Sequence, residues 1–417
     1  MAQHIVIVGG GAAGTLTAIH FARDARSETK VTVIEPRAQL GTGVAYGTAD
    51  DSHLLNVPAS GMSAYDDDPT SFIRWAGCSS DDFIARGRYA DYLRTELSTH
   101  VADNSHITFR HVCATVARID VGKHGVAAPY TVITSDGQNI AADAIVLALG
   151  NAAPTVPDWV RSFTAAPVVA DPWAPGALDQ IGVDADVLCV GTGLTFVDIA
   201  LSLARRGVRV TGVSRHGLLP EVHETIGKLP RLPAPFTSPG DVLRWIRTQD
   251  DWRAAFTALR PATQRVWRSF TAAQQSQFLR HARRYWDVHR HRMSKVVADE
   301  LQQLRRSGAV SVQRGDARVA ALSGEYDAVV LCTGPDDAAL RSAPPLAGLI
   351  SDGIACAGPH DMGIATDADT GQLLTADGRL VNGVFAIGTL RRGTLWESTA
   401  VPEIRTEARR LATLVLR

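Results

Sequence analysis

The hydrophobic positions of this chain fall twice into one order: a short unbroken apolar run, a glycine turn, a long helix-periodic stretch, and a second apolar run. The first instance is "HIVIVGGGAAGTLTAIHFARD" followed by "VTVIE"; the second is "ADVLCVGTGLTFVDIALSLARRGVRVTGVSR". An unbroken apolar run between turn residues suits a strand buried on both faces, and a 3.6-residue period after it suits a helix lying on the sheet. Gly207 stands where the second helix needs a C-cap. The runs "DAIVLALGNAAPTVPD" (143–158), "DAVVLCTGPDD" (327–337) and "VFAIG" (384–388) predict further strands. Repetition of a whole supersecondary unit points to a duplicated nucleotide-binding fold. The expected class is α/β, with two doubly wound (Rossmann-like) dinucleotide-binding domains and a helical cap insertion. The predicted boundaries are 1–155 and 346–417 for the first domain, 156–345 for the second, and about 218–300 for the cap.

Each turn carries its own chemistry. Gly9-x-Gly11-x-x-Gly14 offers a tight turn, backbone approach to a pyrophosphate and close helix packing, and the helix N-terminus presents unpaired N–H groups to phosphate. Glu35 ends the following strand, where a carboxylate accepts hydrogen bonds from ribose hydroxyls. The second turn keeps Gly191 and Gly193, and Thr195 follows them, but Phe196 occupies the place of the third glycine. Its second strand ends at Ser214-Arg215 with no acid. An arginine there pairs with a 2′-phosphate, which favours NADPH over NADH; the alternative is an empty repeat with Arg215 as a solvated surface charge.

Between residues 218 and 300 the chain becomes proline-rich and then helical, with "DVLRWIRTQDDWRAAFTALRPATQRVWRSF" and "QQSQFLRHARRYWDVHRHRM". Trp245, Trp252, Trp267 and Trp286 fall here and suit the core of a lid more than a stacking platform. Arg290 and Arg292 are candidates for binding a carboxylate or the NADPH phosphates, against a reading as a solvated face or as ion pairs with Asp287, Asp250 and Asp251.

Composition narrows the classes without choosing among them. The 417 residues carry a formal net charge of −1, with 45% hydrophobic and 20% charged residues, so neither nucleic acid nor an anionic membrane is an expected partner. No apolar run reaches the ~20 residues of a membrane span, and no signal peptide opens the chain, so a cytoplasmic protein is expected. The cysteines, Cys78, Cys113, Cys189, Cys332 and Cys356, form no C-x-x-C pair. That spacing argues against a redox dithiol and a disulfide framework, and His289-x-His291 lacks further ligands at zinc spacing, so no metal is expected.

Several stretches resemble the bacterial FAD/NAD(P)-binding proteins related to flavin-containing (class B) and N-hydroxylating monooxygenases. They are "GTGVAYGT" (41–48), "HLLNVPASGMSA" (53–64), "RGRYADYL" (86–93), "GTGLTFVDIA" (191–200), "SRHGLLP" (214–220), "YWDVHRHRM" (285–293) and "RRGTLWESTAVPEIR" (391–405). The resemblance implies FAD in the first domain and NADPH in the second. It implies that the Gly43 to Tyr46 segment lies beside the isoalloxazine and that Asn56 stands at its reactive face. Arg37, Arg86, Tyr89, Val112, Glu397 and Thr399 join the implied cofactor contacts. Gly388-Thr389 replaces the Gly-Asp that usually holds the ribityl-phosphate. Ser398 or Thr399 is expected to cap the last helix, with Glu403 in its first turn.

The implied reaction is reduction of FAD by NADPH, oxygen activation as a C4a-hydroperoxyflavin, and oxygen transfer to a small polar substrate, with amine or amino-acid N-hydroxylation favoured. Asn56 would donate a hydrogen bond to the activated oxygen. Two alternatives stay open: an NAD(P)H-dependent flavin oxidoreductase or oxidase without oxygen insertion, and a non-catalytic nucleotide-binding redox sensor.

Overall fold

The computed structural model describes residues 2–122, 130–233 and 235–416. Two compact units divide the chain: Met1–Asp51, Val57–Ala152 and Asp337–Arg417 form the first, and Ser52–Asn56 with Ala153–Asp336 form the second.

In the first unit the strand Gln3–Val8 lies at the middle of a six-stranded sheet, with Thr29–Ile34 and Ile107–Val112 on one side and Ala144–Leu147 and Leu380–Ala386 on the other. All of these pair in parallel; the edge strand Gln372–Leu374 runs antiparallel. Ile5, Val6, Ile7 and Val8 are all buried, as a central parallel strand covered on both faces requires. Helix Ala12–Asp24 covers one face and packs against Arg86–Asp103 and the C-terminal helix Val401–Val415. A three-stranded antiparallel sheet, Val116–Val121, Tyr130–Thr134 and Asn139–Ala142, adds Ile119, Val132 and Ile140 to the core on the other face.

The second unit repeats the plan in five parallel strands, ordered Val310–Arg314, Arg209–Ser214, Asp186–Val190, Ala328–Leu331 and Val168–Val169. Helix Leu194–Ala204 follows the glycine turn and ends three residues before Gly207, which is left-handed at φ +85°. Val208 N–H then returns to the Leu203 carbonyl, the wrap that closes a glycine-terminated helix. The cap consists of helices Pro239–Arg247, Trp252–Leu259, Thr263–Ser269, Ala272–His281 and Arg283–Arg290, all within this unit. Ser238, Asp251 and the Thr271–Gln274 capping box start three of them by accepting first-turn N–H groups. Trp267 and Trp286 are buried against Phe278 and Phe256, so these tryptophans form the cap's own core.

Three details differ from expectation. The return to the first unit comes at Asp337, ahead of 346, because Leu340 is already buried in the first unit's core, while Thr155 N–H is held by the Gly334 carbonyl in the second. Residues 52–56, expected in the first domain, belong to the second: Leu54 packs on its core and His53 Nε2 bonds Ser202 Oγ at 2.8 Å. The last helix starts at Val401 with Ala400 as N-cap and no side-chain cap, so neither Ser398 nor Thr399 plays that part. Pro402, which has no N–H to leave unpaired, fixes that start, and Glu403 does fall in the first turn.

Candidate functional site

In the first unit the carboxyl end of the central strand opens onto the glycine turn. Gly9 is left-handed at φ +100°, and a Cβ there would overlap the Ala148 carbonyl oxygen. Gly14 lies against the Gly9 carbonyl so closely that no side chain fits. Gly11 is the N-cap of helix Ala12–Asp24 and makes no side-chain cap, which leaves the first-turn N–H groups for a ligand. Glu35 is buried; Gly10 N–H donates to one of its oxygens at 2.8 Å, and Arg37 donates to the other from backbone N–H and Nη1 at 3.1 and 3.0 Å. One lone-pair position on the Gly10-bonded oxygen remains for a hydroxyl. Val112, at the end of the neighbouring strand, supplies its carbonyl to Glu35 N–H and positions that acid.

Around this turn the other expected residues gather unevenly. Gly43 opens the short helix Gly43–Tyr46, and its backbone approaches Gly11. Tyr46 packs on Tyr89 with ring centroids 4.8 Å apart, and burial pushes the Tyr46 hydroxyl up to about 12 despite the nearby Arg86. The Tyr89 hydroxyl is buried without a partner. Gly388 stands next to Ala13 at the helix start. Glu397 is buried, whereas Thr399 is exposed. Ser398, beside it, is fully buried and its Oγ has no partner. Ser398 is thus the better-placed hydroxyl, a distinction that a helix-cap reading of the sequence cannot make. The glycine cradle, the open helix end and this orphaned hydroxyl fit a dinucleotide such as FAD.

The second unit reproduces the turn. Gly191 has φ +107°, and its Cβ would overlap the Cys332 carbonyl oxygen, as Gly9 does with Ala148. Gly193 is again an N-cap without a side-chain bond, and Thr195 lies half-buried in the first turn of the helix it starts. Phe196 is fully buried and lies against Gly212, where a Cβ would come within 2.5 Å of the phenyl ring. Ser214 Oγ is hydrogen-bonded to Thr192 Oγ1 at 2.8 Å and accepts from Gly217 N–H at 3.0 Å. The place of the ribose-binding acid is therefore closed by hydroxyl groups. Arg215, next along, is exposed and makes no ion pair or hydrogen bond among the described residues. The turn, the open helix end and the free arginine fit a 2′-phosphorylated nucleotide.

Asn56 belongs to the five-residue segment of the second unit. Its backbone carbonyl accepts from His223 Nε2 at 3.1 Å, and its side-chain amide bonds nothing among the described residues, its own backbone included. Burial, and then the Arg292 charge, hold the His223 ring down at about 4, so it is neutral at pH 7. Arg292 is buried and Arg290 half-buried; burial, followed by repulsion from Arg290 and Arg253, lowers Arg292 to about 10. Of the expected acidic partners, Asp251 caps helix Trp252–Leu259 and Asp287 pairs with Arg283 at 3.6 Å. Arg253 and His223 were not singled out by sequence; their signal is spatial, since both converge on Arg292 from a different stretch of chain.

A family model described as FAD-NAD(P)-binding matches residues 6–152. No curated protein sequence matches the chain. Solved structures with the same fold include the ornithine hydroxylase PvdA of Pseudomonas aeruginosa, 15% identical with TM-score 0.61, covering 100% of this chain and 99% of that one. A flavin-containing monooxygenase of Stenotrophomonas maltophilia is 17% identical with TM-score 0.54, covering 100% and 98%. The bacillithiol disulfide reductase of Staphylococcus aureus is 13% identical with TM-score 0.56, covering 100% and 99%. The chain therefore has the two-domain fold of these flavoproteins, and its residues 6–152 match the FAD-NAD(P)-binding family.

Proposed function

We propose that this protein is a FAD- and NADPH-dependent monooxygenase that hydroxylates an amine nitrogen of a small polar substrate. The balance is R–NH2 + O2 + NADPH + H+ → R–NHOH + H2O + NADP+. The observation that carries this reading is the pair of matching glycine turns, each at the carboxyl end of a parallel sheet and each followed by a helix with open N–H groups. Bound FAD would supply hydride acceptance from the nicotinamide and activation of oxygen.

The chain's own residues do the rest. Gly9, Gly11, Gly14, Glu35, Arg37 and Val112 form the nucleotide cradle of the first unit; Gly43, Tyr46, Arg86, Gly388, Glu397 and Ser398 extend it, with exposed Thr399 at its edge. Gly191, Gly193, Thr195, Ser214 and Arg215 take NADPH, and Arg215 supplies the charge that answers a 2′-phosphate. Asn56 has a free amide and offers a donor for the oxygen being transferred. Arg290 and Arg292 hold the substrate. The similarity to N-hydroxylating enzymes supports the amine as acceptor. A dithiol route lacks an accessible pair: the neighbouring thiols Cys189 and Cys332 are buried, and among the described residues only Cys113 is exposed.

The test is anaerobic mixing of the FAD-loaded protein with NADPH and with NADH, followed by oxygen and a panel of amines. Fast flavin bleaching by NADPH and a hydroxylamine product sixteen mass units above the substrate are expected. Bleaching with stoichiometric peroxide and no product from any amine would make it an oxidase. No bleaching by either nucleotide would leave a non-catalytic nucleotide binder.

A further inference from the structure

The cap holds more positive charge than its carboxylates answer. Arg292 is 8% exposed, and its Nε and Nη1 are buried with no hydrogen-bond partner. The backbone beside it is fixed: Met293 N–H donates to the Glu221 carbonyl and His223 N–H to the Met293 carbonyl, both at 2.9 Å. That ladder fixes the main chain on which Arg292 stands, and the burial of its side chain places the guanidinium inside the unit. Its guanidinium lies 5.9 Å from the centroid of the Trp252 ring, and Arg253 lies over the same ring at 4.3 Å. Arg253 is satisfied, by the Val222 carbonyl at 3.0 Å and by Glu224 and Glu221 at 3.4 and 4.0 Å. Asp251, the remaining nearby carboxylate, spends its oxygens on the Gly227, Arg253 and Ala254 N–H groups.

A fixed, buried guanidinium with unmade hydrogen bonds is costly unless something completes it. A guanidinium fork matches two oxygens of one planar or tetrahedral oxyanion, and neighbouring arginines raise the affinity for a negative charge. We infer that Arg292, flanked by Arg290, Arg253 and His223, forms an oxyanion pocket within the second unit, with Arg292 as the group that bonds the anion directly. The chemistry is a carboxylate or phosphate oxyanion. A carboxylate of the substrate and a phosphate of the nucleotide are its two sources, and the first would make the substrate of the proposed hydroxylation an amino acid. That last step rests on the monooxygenase reading; the pocket itself does not.

The experiment is calorimetric titration and thermal melting of the FAD-loaded full chain, wild type against Arg292→Met and Arg292→Lys. The probes are succinate, inorganic phosphate and NADP+. If the pocket takes a substrate carboxylate, succinate binds saturably, Arg292→Met weakens it by about tenfold or more, Arg292→Lys weakens it less, and NADP+ affinity is unchanged. If the pocket takes the nucleotide, NADP+ affinity falls by the same factor in Arg292→Met and succinate does not bind. In either case Arg292→Met, which removes an unpaired buried charge, melts no lower than wild type in anion-free buffer and loses the rise in Tm that the anion brings. The pocket is overturned if none of the probes distinguishes wild type from Arg292→Met, or if Arg292→Met melts lower without any anion, which would make Arg292 a structural residue. Anion binding without NADPH-driven hydroxylation would sink the monooxygenase reading and leave the pocket standing.

Discussion

In the first unit the helix after the glycine turn carries Gly14 against the turn carbonyl, and its strand partner position, Val33, pairs with Ile7. In the second unit Phe196 occupies the place of Gly14, and Gly212, which pairs with Cys189, occupies the place of Val33. The large and small residues have changed places across the helix–sheet interface. Helix Leu194–Ala204 must stand off the turn far enough to seat a Cβ, and the phenyl ring fills the gap by lying on a strand position that has no side chain. The phosphate-facing glycines, Gly9 with Gly11 and Gly191 with Gly193, keep the same backbone in both. A missing third glycine therefore reports on packing beneath the turn and says little about the turn's capacity for a ligand.

Phe196→Ala would break this comparison most severely. Loss of a fully buried phenyl should cost about 3–5 kcal/mol in a urea melt, and Gly212→Val placed on top should restore about 1 kcal/mol by refilling the space. No recovery in the double variant would mean that Gly212 does not shape the seat of Phe196.

Acid should separate the two helices next. His20, on helix Ala12–Asp24, is buried, donates from Nε2 to the Ala64 carbonyl, and is held by burial at about 4 against the usual 6.5. It stays neutral in the folded chain, so between pH 6.5 and 4 the unfolded chain takes up a proton that the folded one refuses. That contribution to stability is full above pH 6.5 and declines by about 3 kcal/mol as pH falls to 4. His223 adds a loss of the same sign in the second unit. His20→Gln should flatten the decline over that window, and an unchanged slope would relocate the acid-sensitive group.

Gly14→Ala should cost about 2 kcal/mol by overpacking, and should also shed flavin on gel filtration, since the added Cβ displaces the turn itself. Arg215→Ala should leave folding untouched and lower the preference for NADPH over NADH by about tenfold. Equal preference before and after would remove Arg215 from the nucleotide site.

Much of this was legible in the sequence, and the rest was not for identifiable reasons. The strands Gln3–Val8 and Asp186–Val190 and their turns are local: apolar runs and glycine spacing are written in adjacent residues. The antiparallel strands Val116–Val121, Tyr130–Thr134 and Asn139–Ala142 went unread because each alternates over only a few residues. The exchange of Phe196 with Gly212 could not be read, because the two positions are brought together by register and not by spacing. For the same reason Arg290 and Arg292 stood out as a cluster, while Arg253 and His223 did not and Ser398 stood out only as a helix cap. What makes Arg292 distinctive is the absence of a partner, which no sequence displays.

The short segment 52–56 has a consequence for anyone who would treat the units as interchangeable parts. The chain passes between units four times, after residues 51, 56, 152 and 336. A chimaera spliced at the two obvious joints would inherit His53, Leu54 and Asn56 from the wrong parent, so a graft that exchanges the nucleotide-reducing half must carry these five residues with it.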